Sequence, residues 1–210
     1  MNDDTDEFWL TRRTGLTPTS PPAERISDRT VLDEPTRPGA PEPDGSVVFD
    51  EQGLAAARHF RDMHDMYRKE MRQVRESLRQ VEEGARSIGD ARDDLNRMSV
   101  RANNWALGGI CQRQCLGMTG HHTLESDSIF PYLAASQKDL APVVERLNSE
   151  HLAIHGLIED VDEALIRLVT HPGEFGPLRE TLDLLSDTLL SHFAYEEREL
   201  LGPIARFGLN

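Results

Sequence analysis

The sequence lacks a long apolar run, has only two cysteines in 210 residues, and is poor in aromatic residues. No stretch of about 18 apolar residues occurs, so no transmembrane helix is expected. The first ten residues, MNDDTDEFWL, have neither the basic nor the apolar part of a secretory signal. We therefore expect a cytoplasmic protein.

The charge balance is strongly negative, with a formal net charge of -14 at pH 7. Phosphate backbones and anionic lipids select clustered Lys and Arg, so this balance argues against a nucleic acid or a membrane as the partner. With 29% charged, 38% hydrophobic and 6% aromatic residues, the composition is more typical of a helical protein than of a β-sandwich.

The two cysteines, Cys111 and Cys115, are four residues apart in what the pattern predicts to be one helix. Side-chain directions at that spacing suit a disulfide poorly. We expect buried, reduced packing residues rather than a redox or sensing pair, because buried cysteine commonly behaves as a small apolar residue.

Proline is concentrated near the N-terminus, where residues 1–48 hold seven of the twelve prolines and few aliphatic residues. A segment of this composition buries too little apolar surface to offset the entropy lost on ordering. We therefore expect a disordered acidic tail over residues 1–48 and one domain over residues 49–210.

Residues 49–210 show the three- and four-residue apolar spacing of amphipathic helices. The predicted helices run from about Leu54 to Val81, Ser99 to Leu133, Leu140 to Val169 and Phe175 to Ala205. Pro131 should bend or end the second, and Pro142 falls in the first turn of the third. Short connections make neighbouring helices antiparallel. The predicted fold class is therefore all-α, an antiparallel up-and-down four-helix bundle, whose interior can hold metal ions.

Each predicted helix carries a histidine among apolar residues. His121 with Glu125, and His151 with His155, are pairs at i and i+4, about 40° apart around a helix, so both members can reach one point on the bundle axis. His64 lies on the first helix. A single histidine on an apolar face is more often a core residue than a ligand, but ligands converging from four helices favour a metal centre.

His192 on the last helix has two candidate carboxylate partners. Spacing alone favours Glu196 at i+4. Glu197, at i+5, has apolar residues three, four and seven positions away in both directions. A carboxylate in such a patch is costly unless a cation neutralises it, so we predict that Glu197 is the ligand.

Three further histidines are weaker candidates. His122 should point about 100° away from His121, and His171 precedes a proline at a helix end, so neither is expected to bind metal. His59 is the alternative to His64 on the first helix.

Four motifs, HDMYRKEM, HHTLE followed by FP, EHLAIH, and HFAYEE followed by P, occur in this order. They resemble those of the hemerythrin and HHE cation-binding family, especially its long bacterial form with NNWALGGICQRQC ahead of HHTLE. The chain departs from the family pattern in having Glu197 where oxygen-carrying members have Asp, and in the long spacing from His64 to His121.

The resemblance implies a cofactor of two non-haem iron ions joined by an oxo or hydroxo bridge. It implies that Glu125 and Glu197 bridge the irons, and that one iron has an open position for a small molecule. It also implies which histidines bind each iron. One iron would be bound by His151, His155 and His192, and the other would be bound by His64 and His121. Imidazole and carboxylate ligands suit iron.

Three functions are compatible with such a centre. We favour binding or sensing of O2 or a related molecule such as NO, because the sequence shows no further positioned acid or base for peroxide chemistry, although Tyr67 and Tyr195 lie near the ligand faces. The second is an enzyme that consumes peroxide or reduces NO. The third is a regulatory module in which the metal reports iron or oxygen and residues 1–48 recruit a protein partner.

Overall fold

The computed structural model describes residues 8–84, 87, 90 and 117–209. Over these residues the regular secondary structure is helical and no strand occurs. None of their helices is long and apolar enough to cross a membrane. The start of the predicted second helix, with Cys111 and Cys115, lies outside the described residues.

Three helices of 30 to 32 residues make up most of the described chain. Shorter helices precede and separate them, with 3-10 turns at Glu34–Thr36 and Lys138–Leu140. In chain order the helices are α1 Trp9–Thr14, α2 Glu51–Glu82, α3 Met118–Leu124, a π-helix Glu125–Ile129, α4 Phe130–Ser136, α5 Ala141–Thr170 and α6 Gly176–Phe207.

The long helices begin and end within three residues of the predicted positions, and local chemistry explains their ends. The Asp50 side chain caps α2 by accepting a hydrogen bond from the Gly53 amide at 2.6 Å. Pro142 lies in the first turn of α5, where an amide N–H would have no partner in the helix. These ends were predictable because they depend on neighbouring residues.

Helix α6 contacts both α2 and α5 and runs antiparallel to each. Against α2, Glu197 meets His64 and Asp183 meets Arg75, so residue numbers fall along α6 as they rise along α2. Against α5, His192 meets Glu150, and only residues 171–175 connect the two helices. This pairing places the middle parts of the three helices beside one another, at the same level along the helix axes.

Two apolar clusters fill the interior, one on either side of that level. One contains Met71, Ile154 and Leu189, and the other contains Phe60, Leu147 and Leu200. Along α2, α5 and α6, the buried histidines fall between members of the two clusters. The polar layer is therefore enclosed by apolar packing at both ends.

The helix that contains Pro131 changes to a π-helix over Glu125–Ile129, immediately before the proline. Proline cannot donate to the carbonyl of Asp127, and its ring crowds that carbonyl, so a wider turn relieves both problems. The helix does not end at Pro131 but continues to Ser136, so the effect seen here is the change to a π-helix before the proline. π-Turns inside helices are frequent at functional sites, and Glu125 begins this one.

The N-terminal segment differs from the expected disordered tail, since the structure describes residues 8–49 in a defined course along the helices. We call this segment the strap. Leu10 and Leu16 are buried. Four backbone amides of the strap donate to carboxylates of α6: those of Thr19, Ile26, Ser27 and Ala40. The composition argument considered apolar burial alone and missed these polar partners.

The strap also explains why α6 is buried on nearly all sides. A helix with one apolar face needs one covered side, whereas α6 is covered by α2, by α5 and by the strap. Gly202 permits close approach of the strap, because a Cβ atom there would lie 2.6 Å from a ring carbon of Trp9.

Candidate metal centre

Two buried histidine and glutamate pairs at i and i+4 face each other across the interior. On α3 and the π-helix, Nε2 of His121 lies 2.9 Å from Oε1 of Glu125. On α6, Nε2 of His192 lies 3.5 Å from Oε2 of Glu196. Both glutamates have no exposed surface. The pairs form because one helical turn places the two side chains side by side.

Single histidines from α2 and α5 complete this arrangement. Nε2 of His64 lies 3.2 Å from Nε2 of His121 and 3.3 Å from Oε2 of Glu196. Nε2 of His151 lies 3.6 Å from Oε2 of Glu125. Separations near 3 Å are those of adjacent ligands on one ion when metal–nitrogen bonds are about 2.1 Å.

The ligand atoms define two adjoining positions. One is formed by His64, His121 and Glu125, and the other by His151 with Glu125 and Glu196. Glu125 belongs to both, with Oε1 toward His121 and Oε2 toward His151. Glu196 similarly approaches both His64 and His192. Two carboxylates therefore lie where they could bridge two cations.

Buried polar atoms without hydrogen-bond partners indicate whether these residues fit metal ions. Both carboxylate oxygens of Glu125 and of Glu196 are buried without a hydrogen-bond donor, and so is Nε2 of His151 and of His192. Buried polar atoms are rarely left this way, and a carboxylate in such a place is costly. Imidazole nitrogens and carboxylate oxygens are the ligands that iron accepts. The site fits a pair of metal ions.

The structure differs from the sequence prediction at the last carboxylate. Glu197 was predicted as the ligand, but it is absent from these groups and faces away from the two positions. Its Oε1 lies 3.0 Å from Nδ1 of His64 and 2.7 Å from Arg68, and its Oε2 accepts from the Thr19 amide. Glu197 is buried because these donors surround it, whereas Glu196 lies at the centre.

The structure also differs at the predicted ligand His155 and the excluded His122. His122 is buried, its ring stacks on that of His151 at 3.9 Å, and it forms a third group with His151 and His192. His155 is only partly buried and lies behind His122, with its Nε2 3.2 Å from Nδ1 of His122. The ideal-helix angle between His121 and His122 did not allow for both side chains turning inward.

The remaining candidates fall outside the centre. His59 and His171 are exposed, so His64 is the histidine that α2 contributes. The Tyr67 ring packs 5.1 Å from that of His121, and the Tyr195 hydroxyl donates to the carbonyl of Pro38 in the strap.

Two carboxylates that lie outside the candidate metal positions, which we call the outer carboxylates, each contact one candidate ligand histidine. The two histidines belong to different metal positions. Glu197 accepts from Nδ1 of His64, and Oε2 of Glu150 lies 3.0 Å from Nδ1 of His192. A histidine that donates from Nδ1 presents an unprotonated Nε2 to a metal. Sequence reasoning missed Glu150, although its place directly before His151 in EHLAIH was visible.

The electrostatics of the centre reflect its carboxylates and its burial. Burial opposes the charge on His64, but the negative charges of the neighbouring Glu125, Glu196 and Glu197 carboxylates outweigh it and raise the pKa of His64 well above its usual value. Burial, with His192 nearby, lowers the pKa of His151 to about 2. Without metal, the carboxylates therefore hold a proton on His64 while His151 stays neutral.

A family model, the hemerythrin HHE cation-binding domain, matches residues 55–204. The match covers most of the chain, so this protein belongs to the hemerythrin HHE family, a class of metal-binding helical proteins. No curated protein and no solved structure matches the chain significantly.

Proposed function

We propose that this protein is a non-haem di-iron protein that binds or senses O2 or a related small molecule such as NO. The proposal includes an antiparallel four-helix bundle, in which the helix ending at Ser136 joins α2, α5 and α6 around the centre. Two iron ions bridged by an oxo or hydroxo group and by carboxylates are the cofactor that the family and the ligand set favour together.

The observation that best supports the proposal is that the two carboxylate oxygens of Glu125 face two different groups of histidines. One oxygen of this buried carboxylate faces the His64 and His121 position, and the other faces His151. A single mononuclear site would not use both oxygens in opposite directions. A dinuclear centre accounts for both and for the lack of hydrogen-bond donors to either.

The proposed ligands give each ion two imidazoles, from His64 and His121 or from His151 and His192, and two bridging oxygens, from Glu125 and Glu196. His122 is a further candidate for the second ion. An octahedral ion accepts more ligands than this, so positions stay open for a small molecule. When bound, the iron pair would supply reversible electron exchange with that molecule.

The residues of the chain determine what can reach the centre. Glu125 and Glu196 would hold the two ions side by side, and the enclosing apolar clusters exclude bulk water and large substrates. Such an enclosure selects a small neutral ligand, for which O2 and NO qualify. Tyr67 is the hydroxyl-bearing residue whose ring packs against His121.

The test is metal analysis and absorption spectroscopy of protein purified without chelator. We expect two irons per chain and a visible spectrum that changes on addition of O2 to the reduced protein or on addition of NO. His64→Ala should lose iron, whereas the exposed His59→Ala on the same helix should keep two irons per chain. A protein that binds no iron, or that loses it with His59→Ala, would overturn the proposal.

Peroxide distinguishes binding from turnover. If the iron-loaded protein only binds small molecules, added hydrogen peroxide should be consumed in amounts comparable with the protein. Consumption of many equivalents at a constant rate, lost in His64→Ala, would instead establish a peroxide-consuming enzyme on the same centre.

A further inference from the structure

We propose that the strap is a built-in part of the metal centre, holding one ligand histidine at each metal position through Arg37 and the Thr19 amide. This inference rests on the proposed di-iron centre. It assigns positioning roles to two strap residues that lie more than a hundred positions away in the sequence from the carboxylates they bind.

The first connection runs from Arg37 to His192. The Arg37 guanidinium forms a bidentate pair with the Glu150 carboxylate. Nε donates to Oε1 at 2.8 Å, and Nη2 donates to Oε2 at 3.0 Å. The same Glu150 Oε2 accepts from Nδ1 of His192. Arg37 also donates to Ser191 Oγ at 2.9 Å, which fixes the guanidinium against α6. A bidentate pair of this kind fixes both the position and the plane of the carboxylate.

The second connection runs from Thr19 to His64. The Thr19 amide donates to Oε2 of Glu197 at 2.7 Å, while Oε1 of Glu197 faces Nδ1 of His64. Arg68 contributes a second donor to this carboxylate from α2. The two connections therefore end on histidines of different metal positions, so docking of one segment orients ligands of both ions.

The way the strap attaches makes these polar contacts important. Its fully buried apolar residues, Leu10 and Leu16, lie near its N-terminal end, and Phe49 packs against the core at its other end. Between Thr19 and Arg37 the strap and α6 line a partly open pocket of about 400 Å³. Over this stretch the strap is held by hydrogen bonds to carboxylates instead of by continuous packing. Outer partners of ligand histidines commonly change metal affinity by about 10- to 100-fold.

A reciprocal effect follows from linkage. If docking of the strap favours metal binding, metal binding must favour docking of the strap by the same factor. Iron should therefore slow tryptic cleavage after the exposed Arg29, which lies in the middle of the strap.

The decisive experiment measures ferrous iron affinity under anaerobic conditions by competition with a chelator. Arg37→Gln should weaken iron binding by about 10- to 100-fold. The matched control is Arg25→Gln, a second strap arginine that pairs with Glu34 and approaches Asp187 but contacts no outer carboxylate of the centre. It should bind iron as the wild type does.

A double-mutant cycle tests whether Arg37 affects iron binding through Glu150. If Arg37 acts through Glu150, the variant R37Q/E150Q should bind iron no more weakly than E150Q alone. Arg37→Lys keeps the charge without the planar fork and should give an intermediate affinity. This variant, with helicity followed by circular dichroism, covers the case in which Arg37→Gln does not fold.

Equal iron affinity in R37Q and R25Q, or equal tryptic cleavage after Arg29 with and without iron, would overturn the role of the strap. In that case two irons per wild-type chain would still support the proposed function. Failure of the wild type itself to bind iron would instead reject the proposed function.

Discussion

Glu196 and Glu197 are consecutive, fully buried residues of α6 whose carboxylates contact opposite nitrogens of the same histidine, His64. Oε2 of Glu196 lies 3.3 Å from Nε2, and Oε1 of Glu197 lies 3.0 Å from Nδ1. One acid is therefore on the metal side of the ring and the other is on its far side. Burial is equal at the two positions, so their neighbours must distinguish their roles.

Glu196→Gln should remove most of the bound iron, because a neutral amide is a poor bridge between two cations. Glu197→Gln should keep the centre but weaken it by about 10- to 100-fold, since the amide oxygen can still accept from His64. Iron per chain and chelator competition measure the two effects. Retention of two irons by Glu196→Gln, with an empty site in Glu197→Gln, would restore the assignment made from the sequence.

His122→Ala should weaken iron binding at the position formed with His151 and His192, because His122 Nε2 is a buried atom without a hydrogen-bond partner there. His155→Ala is the comparison, since this partly buried residue contacts only the far nitrogen of His122. Stepwise iron titration should show one weakened position in both variants, and the loss of affinity should be larger for His122→Ala. The opposite pattern would make His155 the ligand.

The helices and most of the site could be predicted from the sequence because they depend on local periodicity. His64, His121, Glu125, His151 and His192 recur on apolar faces, and the structure brings all five together. Helical spacing carries this information within a few turns of each residue.

The differences between the sequence predictions and the structure come from interactions between elements that are distant in the sequence. Glu197 looked like a buried bridge because its apolar neighbours are visible in the sequence, whereas the donors from Arg68 and Thr19 are not. The strap was missed for the same reason: its amides bind acids of α6 that are 159 to 178 residues away. Composition can indicate that a segment has little apolar surface, but it cannot indicate which polar partners it will meet.

Gly53→Ala should destabilise the protein by about 1–3 kcal/mol, because a Cβ there would lie 2.2 Å from the backbone oxygen of Ala205 and force α2 away from α6. Gly156→Ala is the control. It lies within α5 with no atom near the added methyl, so it should be neutral or stabilise by up to about 1 kcal/mol. Denaturant unfolding measures both, and equal midpoints would contradict the close approach of α2 and α6.

The metal-free protein should lose stability as the pH falls below about 6.5, the usual pKa of histidine. Burial lowers the pKa of His122 well below this value and that of His151 to about 2, so both stay neutral in the folded chain. The unfolded chain takes up a proton on each. It therefore binds more protons, and each histidine removes roughly 1.4 kcal/mol per pH unit below its unfolded pKa.

His64 has the opposite sign, which sets the upper limit of this window. Its pKa is raised in the folded chain, so its contribution is fully present below about pH 6.5 and is lost as the pH rises through the folded pKa. The metal-free protein should thus be most stable near pH 6.5, as measured by thermal melting in chelator. His151→Gln should flatten the acidic side, and His171→Gln, at an exposed position, should not. A melting temperature that stays constant between pH 6.5 and 5 in the wild type would show that these histidines are not held neutral by burial.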